Sequence, residues 1–303
     1  MNIILFAGQG SQYSGMGKDI CEKYPDLYDL YDKASEILGY DLKKVCFDES
    51  FTELSRSLYS QPAIMVTSLV CFEAAKKNGL TFSAAAGHSL GEYAAMTATG
   101  MLSFEDGIRV IKARAEAFNN AISDSEPGAM AAVLKLDPQK IEEICSQTEG
   151  YVVPVNYNSP KQTVIAGDKK AVETASASLS ELGARVMTLN VESAFHCKKM
   201  AEASREFYNI IKDISFKAPQ VKFFSNVYGS ELTDFSDIPS LLAKHIISPV
   251  KFTDELTAVK AAGFDTFIEL GPGKTLTGLV KKTLSDVNSF NIENASTLEK
   301  ASF

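Results

Sequence analysis

The sequence is short of the residues from which metal sites are usually built. It has only three histidines, and its five cysteines are scattered along the chain with no pair at metal-ligand spacing. A metal site is therefore not expected, and isolated cysteines fit a reduced, cytoplasmic setting. No apolar run approaches the length that spans a bilayer, so we expect no membrane segment.

Basic residues are also in deficit. Lys and Arg total 30 against 38 Asp and Glu, which gives a net charge of −8. Because nucleic acids are bound through clustered Lys and Arg, this balance argues against a nucleic-acid partner. The first residues, MNIILFAGQG, lack the basic segment of a secretory signal peptide. What is present is a chain of 303 residues, 45% hydrophobic, enough for one large domain or two smaller ones.

Apolar strands and amphipathic helices alternate along most of the chain, which predicts an α/β fold. From 128 to 191 the pattern changes to β-α-β-β-α-β, the order of ferredoxin-like folds. The sequence therefore predicts a ferredoxin-like subdomain over 128–191, inserted into a larger body made of 1–127 and 192–303. In the first part of that body we expect strands over 2–7 and 82–87 and helices over 27–38, 62–78, 90–99 and 103–122.

The segment Gly87-His88-Ser89-Leu90-Gly91 matches the G-x-S-x-G pattern of a nucleophile turn. An apolar strand precedes it and a helix follows, which is the context that such a turn requires. The glycines permit a sharp turn, and the free N–H groups at the helix N-terminus can stabilise a developing oxyanion. The alternative is a chance match in a glycine-containing turn, but the flanking strand and helix favour Ser89 as a nucleophile.

A serine nucleophile needs a base, and each histidine is a candidate. His88 adjoins Ser89, but neighbouring side chains on such a turn usually diverge. His245 lies among apolar residues in the middle of a predicted helix, where a partly buried structural histidine is the better interpretation. His196 directly follows a predicted strand, where loops carry catalytic groups, and it is favoured only by elimination.

Arg114 is the least expected residue of the helix predicted over 103–122. At ~100° per residue it projects between two apolar stripes, whereas Arg109 and Lys112 point to the opposite side. A guanidinium buried in an apolar face needs an anionic partner. Two interpretations stay open: an ion pair with a protein carboxylate, or a two-pronged contact with a substrate carboxylate. The stripes are formed by Ile108, Ile111, Ala115, Phe118 and Ile122 and by Val110, Ala117 and Ala121.

Two glycine-rich segments resemble nucleotide-binding motifs but lack a required residue. After Gly8-Gln9-Gly10, the third glycine of G-x-G-x-x-G would fall at Tyr13. The P-loop-like Gly271-Pro272-Gly273-Lys274-Thr275 has Ile268 where the opening glycine should be. Both segments are interpreted as tight turns between a strand and a helix. Gln9 is of interest because a loop after the first strand can lend an N–H to an oxyanion hole.

Several short motifs follow one another in order from Phe6 to about Leu279. As a set they resemble the malonyl-CoA:acyl carrier protein transacylases, including the discrete acyltransferases that serve polyketide synthases. The resemblance implies an α/β-hydrolase-like body around the ferredoxin-like insert, and a monomer. The motifs are GQGSQ at 8–12, GHSLGEY at 87–93, NYNSP at 156–160, SAFH at 193–196 and ELGPG at 269–273.

The resemblance also implies a role for individual residues. Ser89 would be the nucleophile and His196 its base, while the backbone N–H groups of Gln9 and Leu90 would form the oxyanion hole. Arg114 would hold the malonyl carboxylate, which favours the second interpretation of that residue.

Three further details follow from the same resemblance. A main-chain carbonyl would orient the histidine, and the segment Ser248-Pro249-Val250-Lys251 would supply it. Phe195 would crowd an α-methyl branch and so favour malonyl over methylmalonyl. Asn158 belongs to a motif beside the site.

The implied reaction moves a malonyl group from malonyl-CoA to the phosphopantetheine thiol of an acyl carrier protein through a malonyl-Ser89 ester. No cofactor is implied, because malonyl-CoA is a substrate and the partner carries the phosphopantetheine. Two alternatives remain open. A serine hydrolase or thioesterase that removes acyl groups from the carrier protein would share Ser89 and His196 but have little use for Arg114. A non-catalytic carrier-protein scaffold would not need the Ser89 and His196 pair.

Overall fold

The computed structural model describes residues 1–124 and 128–301 and has an α/β architecture. The strands are β1 (Asn2–Phe6), β2 (Ala84–Gly87), β3 (Gly128–Leu134), β4 (Val152–Ser159), β5 (Gln162–Asp168), β6 (Arg185–Thr188), β7 (Lys222–Ser225), β8 (Ser230–Glu231), β9 (Thr266–Leu270) and β10 (Asn288–Ile292). The α-helices are α1 (Lys18–Lys23), α2 (Tyr28–Leu38), α3 (Leu42–Phe47), α4 (Ser57–Lys77), α5 (Gly91–Ala98), α6 (Phe104–Asp124), α7 (Pro138–Gln147), α8 (Lys169–Glu181), α9 (Ala201–Ile211), α10 (Ile238–Ile246), α11 (Phe252–Ala261), α12 (Thr275–Thr283) and α13 (Ala295–Lys300).

The larger sheet has the strand order β10-β9-β1-β2-β7-β8 and is parallel except for β8, which pairs antiparallel with β7. Along β1, Ile4 and Phe6 face one hydrophobic cluster, and Ile3 and Leu5 face another on the opposite side. Helices cover both faces, which is why β1 from Ile3 onward and β2 contain no polar side chain. Phe6 pairs with Gly87 at the carboxyl ends of β1 and β2. The turns that follow these two strands therefore lie side by side.

The smaller sheet has the order β4-β5-β3-β6 and is antiparallel throughout. With α7 and α8 it follows the connectivity β-α-β-β-α-β, so the predicted fold class, an α/β body with a ferredoxin-like insert, is confirmed. The exact domain bounds stay a prediction, and residues 125–127, beside the predicted boundary, lie outside the described residues. The insert joins the body through β4, where the Tyr157 N–H donates to the Val250 carbonyl at 2.9 Å.

Helix α4 begins earlier than the sequence predicts. The pattern places Pro62 in the first turn, whereas α4 starts at Ser57 and carries Pro62 inside it. A proline cannot donate to the carbonyl four residues before it, and the Tyr40 hydroxyl donates to that Leu58 carbonyl at 3.4 Å. Helix α4 is buried on nearly all sides, so tertiary contacts rather than local sequence set its start. No helix in the described part of the chain is long and apolar enough to cross a membrane.

Helix α6 has a side-chain cap at its N-terminus. The Ser103 hydroxyl accepts from the Asp106 N–H at 3.0 Å and donates to the Asp106 carboxylate at 2.9 Å. The apolar side of the helix packs into the core, with Ile111 and Phe118 almost fully buried. Arg109 lies on the opposite, exposed side and pairs with Asp106 at 2.6 Å. The cap and the apolar stripes together fix which way Arg114 points.

Candidate active site

Ser89 lies at the tip of a very tight turn between β2 and α5. Its φ is +53°, a left-handed conformation that is uncommon for a residue with a side chain. The turn leaves no room for larger residues at its glycines, since a Cβ on Gly87 would lie 2.1 Å from the Gly91 backbone. A Cβ on Gly91 would lie 2.1 Å from the Phe6 carbonyl oxygen. Both glycines are therefore required for the turn to pack against β1.

The side chain of His196 reaches the Ser89 hydroxyl. The distance from Ser89 Oγ to His196 Nε2 is 2.7 Å, although 107 residues separate the two in sequence. His196 is also held at a positive φ, +58°. Its other ring nitrogen, Nδ1, lies 3.1 Å from the main-chain carbonyl oxygen of His245. An N–H at Nδ1 leaves Nε2 free to accept the serine proton.

The source of that carbonyl corrects the sequence prediction. The hydrogen bond from His196 Nδ1 goes to the His245 carbonyl in α10, upstream of the expected segment 248–251. Within that segment, the Ser248 main chain also raises the pKa of the His196 ring, but by less than His245 does. The physical reason is that His245 lies in the last turn of α10, and the residue four positions later, Pro249, has no N–H to donate to its carbonyl. The Ser248 N–H donates to that oxygen at 3.3 Å, and the oxygen can also accept from the His196 ring. Lys251 instead donates its N–H to the Asn226 carbonyl at 3.0 Å.

The other two histidines have separate partners. His88 points away from the Ser89 hydroxyl, and its Nε2 lies 2.8 Å from Asn158 Oδ1. The His245 ring is fully buried, with Nδ1 3.2 Å from the Glu92 carboxylate. Within residues 1–124 and 128–301, no group of His, Cys, Asp and Glu side chains is arranged to hold a metal ion.

Arg114 is almost completely buried, with 2% of its surface exposed, and it lies beside the nucleophile. Its Nη1 donates to Gln61 Oε1 at 2.6 Å and its Nη2 to Ser89 Oγ at 3.3 Å. The guanidinium also lies 4.3 Å from the centre of the Phe118 ring and 5.3 Å from that of Tyr93. Among the ion pairs of the described residues, none involves Arg114. A buried cation without a carboxylate partner, next to a serine hydroxyl, is suited to binding an anionic ligand.

Burial and charge set the protonation of the site. Burial, followed by the positive charge of Arg114, lowers the pKa of His196 to about 3. Burial also lowers the pKa of His88, so both rings are neutral near neutral pH. A neutral His196 can accept a proton from Ser89, as a general base must.

Two backbone N–H groups near Ser89 are free to bind a ligand oxygen. Among the described residues neither the Gln9 nor the Leu90 N–H has a hydrogen-bond acceptor. Leu90 is the residue before α5, so its N–H lies at the positive end of a helix. The Gln9 side chain is held by a 3.1 Å hydrogen bond to Ser57 Oγ. These features are compatible with the predicted oxyanion hole, whose assignment stays a prediction.

A cavity of about 410 Å³ connects these groups. It lies between the two sheets, so the insert supplies one wall and the body supplies the floor with Ser89 and Arg114. Phe195 lines it and stacks on Phe118 with the ring centres 5.2 Å apart. Asn158 also lines it, from β4. A cleft of this size admits an acyl group on a slender arm.

Two residues of the site were not found from the sequence. Gln61, buried within α4, binds Arg114, and Asn226, directly after β7, accepts a hydrogen bond from the Ser89 N–H at 2.7 Å. Asn226 had one usable signal, because a polar residue at the carboxyl end of a strand commonly faces the ligand side of an α/β sheet. Gln61 had none, since α4 carries several other buried polar residues from which the sequence does not distinguish it, namely Ser57, Ser60, Thr67 and Ser68.

The fold and the site are those of an α/β enzyme in which a serine hydroxyl, a histidine and an arginine meet in one cavity, an arrangement suited to acyl transfer. A model of the acyl transferase domain matches residues 3–300. The malonyl CoA-acyl carrier protein transacylase of Bacillus subtilis (strain 168) is 38% identical, over 98% of this chain and 95% of its own. This chain belongs to the acyl transferase family and, within it, to the malonyl CoA-acyl carrier protein transacylases.

Solved structures agree with that membership. The crystal structure of the malonyl CoA-acyl carrier protein transacylase from Clostridium perfringens superposes with a TM-score of 0.94 at 36% identity, covering 99% of this chain and 95% of that one. A malonyl-transacylase in complex with a type II PKS acyl-carrier protein gives a TM-score of 0.94 at 32% identity, covering 99% and 98%.

Proposed function

We propose that this enzyme transfers a malonyl group from malonyl-CoA to the phosphopantetheine thiol of an acyl carrier protein. The observation that carries the proposal is Arg114, which is buried 3.3 Å from the Ser89 hydroxyl and forms no ion pair with a carboxylate in the part of the chain that the structure describes. A guanidinium in that position selects an acyl group that ends in a carboxylate. The names of the similar proteins support the same donor and acceptor.

In the first half-reaction His196 Nε2 takes the Ser89 hydroxyl proton as the oxygen attacks the thioester carbonyl carbon. The carbonyl oxygen becomes an oxyanion, which the N–H groups of Gln9 and Leu90 stabilise. Collapse of this intermediate breaks the carbon–sulfur bond, and His196 returns the proton to the departing coenzyme A thiolate. The product is a malonyl ester on Ser89, with His196 neutral again.

The second half-reaction repeats these steps with the carrier-protein thiol as nucleophile. His196 removes the thiol proton as sulfur attacks the serine ester, and the proton then goes to the departing Ser89 oxygen. Every proton and electron pair passes between substrate, Ser89 and His196, so the proposed chemistry calls on no cofactor. A single chain supplies all these groups, in keeping with a monomer.

Two residues of the cavity wall are proposed to shape the acyl site. Phe195, stacked on Phe118, narrows the space next to Ser89 and would crowd an α-methyl branch, which favours malonyl over methylmalonyl. Asn158 holds His88 Nε2 at 2.8 Å and so keeps the His88 ring clear of the serine hydroxyl.

Incubation with malonyl-CoA tests the proposal directly. We expect intact-protein mass spectrometry to show one stable malonyl adduct, and addition of a phosphopantetheinylated carrier protein to remove it with formation of malonyl carrier protein. Release of free malonate without an accumulated adduct would instead indicate the serine hydrolase. Tight carrier binding without any acyl transfer would indicate the scaffold.

The acylation rate is expected to resist mild acid. His196 must be neutral to act as the base, and its pKa is lowered to about 3. The rate should therefore stay nearly level from about pH 7 to about pH 5, whereas a histidine with the ordinary pKa of ~6.5 would lose about 25-fold over that range. The measurement is kcat/KM for malonyl-CoA against pH, which reports on the free enzyme, with circular dichroism to verify folding. An acid limb centred near pH 6.5 would contradict the assignment.

A further inference from the structure

A buried polar cluster lies directly beneath the nucleophile turn, on the side away from the cavity. Its members are Asn226, Glu92 and Glu255, each at most 1% exposed. Buried polar groups of this kind are expected to be matched to specific partners. Their partners here are the backbone atoms of the turn that carries Ser89.

The Asn226 side chain holds that turn on both sides of His88. Its Oδ1 accepts from the Ser89 N–H at 2.7 Å, and its Nδ2 donates to the Gly87 carbonyl at 2.7 Å. Nδ2 also donates to Glu255 Oε2 at 2.8 Å. The reverse amide orientation would set a donor against the Ser89 N–H, so the network itself fixes the orientation.

Asn226 is in turn fixed in place by the hydrogen bonds that its backbone groups make. Its N–H donates to Glu92 Oε1 at 2.5 Å, and its carbonyl accepts from the Lys251 N–H at 3.0 Å. Glu92 lies in the first turn of α5, so the same helix that follows the nucleophile anchors the residue that holds it. The result is a closed set of hydrogen bonds around the left-handed conformation of Ser89, which is unfavourable without such support.

The cluster is largely uncharged near neutral pH. Burial raises the pKa of Glu92 to about 8, and burial together with Glu92 raises the pKa of Glu255 well above its ordinary value. Protonated carboxyls place no full negative charge below the point where an oxyanion would develop. An amide at position 226 holds the turn without adding such a charge.

We infer that Asn226 is a positioning residue for acyl transfer, which fixes the Ser89 backbone and thereby aims the Ser89 hydroxyl at His196 and the Leu90 N–H at the substrate oxygen. Because Asn226 Oδ1 engages the Ser89 N–H from below, that N–H is withdrawn from the cavity. The next N–H along the chain, that of Leu90, has no other acceptor among the described residues. This inference rests on the proposed role of Ser89 as nucleophile.

The test compares Asn226→Leu and Asn226→Asp with wild type, well below the melting temperature of each variant. Asn226→Leu is close in volume and removes every side-chain hydrogen bond, and a misplaced reacting group costs roughly 10²-fold. We expect its single-turnover acylation rate to fall by about that factor, with half-saturation by malonyl-CoA within about twofold because Arg114 is untouched. Asn226→Asp keeps an acceptor for the Ser89 N–H and is expected to recover at least a tenth of the wild-type rate.

Labelling by a fluorophosphonate gives a second readout, because this reagent reports on the serine without needing coenzyme A or a carboxylate. Labelling of Asn226→Leu should slow in parallel with its acylation. Asn291→Leu is the matched control, since Asn291 Nδ2 likewise donates to a turn carbonyl, that of Gly273, at 2.9 Å. That variant is expected to lose stability but label at the wild-type rate.

The inference is overturned if folded Asn226→Leu acylates and labels like wild type, or if Asn226→Asp is as impaired as Asn226→Leu. If Asn226→Leu does not fold, Asn226→Ala replaces it, because it also removes every side-chain hydrogen bond: slowed labelling with unchanged half-saturation supports the inference, and wild-type labelling overturns it. A wild-type protein that labels but takes up no malonyl group would contradict the proposed function, and the labelling comparison would still test Asn226.

Discussion

Replacement of Ser89 by alanine is expected to abolish the malonyl adduct and to lower transfer to the carrier protein by on the order of 10⁴-fold or more, as loss of a serine nucleophile does in other acyl enzymes. No other group is expected to take its place, because the carbonyl carbon would have to lie within reach of both the nucleophile and the Gln9 and Leu90 N–H groups that we propose as the oxyanion hole. The measurement is intact mass after incubation with malonyl-CoA, followed by a transfer assay.

The same substitution is expected to leave the fold intact. Among the described residues the Ser89 hydroxyl makes hydrogen bonds only to His196 and Arg114, whereas the turn is held through backbone atoms. Ser204→Ala is the control, since this buried serine donates to the Ala243 carbonyl at 2.7 Å, away from the cavity. It should keep the adduct and lose only about 1 kcal/mol of stability. An adduct that persists in Ser89→Ala would assign the nucleophile elsewhere, and peptide mapping would locate it.

The parts of the site that the sequence predicted are those with a local signature. The turn around Ser89 combines a strand, two glycines and a helix within a few residues, and each is visible in the sequence. Arg114 could be found because helical periodicity alone places it in an apolar face. Both predictions use contacts within one element, where spacing and direction are fixed by the backbone geometry.

The features that were missed depend on contacts between distant segments. Helix α4 starts at Ser57 because the Glu192 carboxylate, 135 residues later, accepts from the Ser57 N–H at 2.7 Å. The residue before it, Arg56, provides no side-chain cap, so no local signal marks the start. The carbonyl that orients His196 likewise leaves no trace in the sequence, because every residue has one. Positive φ at Ser89 and His196 is also not visible in the sequence, because neither residue is a glycine and positive φ is uncommon for every other residue type.

Replacement of Arg114 by alanine is expected to affect loading from malonyl-CoA and loading from acetyl-CoA differently. Malonyl loading should fall by roughly 10²-fold to 10³-fold in kcat/KM, which corresponds to about 3 to 4 kcal/mol for the loss of charge-assisted hydrogen bonds in a buried site. Acetyl loading should be retained or increased, because an acetyl group has no carboxylate to hold. Arg114→Lys keeps the charge but not the two-pronged geometry, so an intermediate malonyl rate is expected. Loading rates from malonyl-CoA and acetyl-CoA, measured on the same preparations, give the ratio.

Arg109→Ala is the control on the same helix, because Arg109 is half exposed and pairs with Asp106 at the surface. It should change neither the malonyl nor the acetyl loading rate. That result would show that loss of an arginine from α6 has no effect by itself. The acetyl arm is needed because Arg114 also donates to Ser89 Oγ and lowers the pKa of His196. Through those contacts Arg114 would act on any acyl donor alike. An equal loss of malonyl and acetyl loading would therefore assign Arg114 to the nucleophile and contradict its role as carboxylate anchor, whereas a loss confined to malonyl can arise only from contact with the substrate carboxylate.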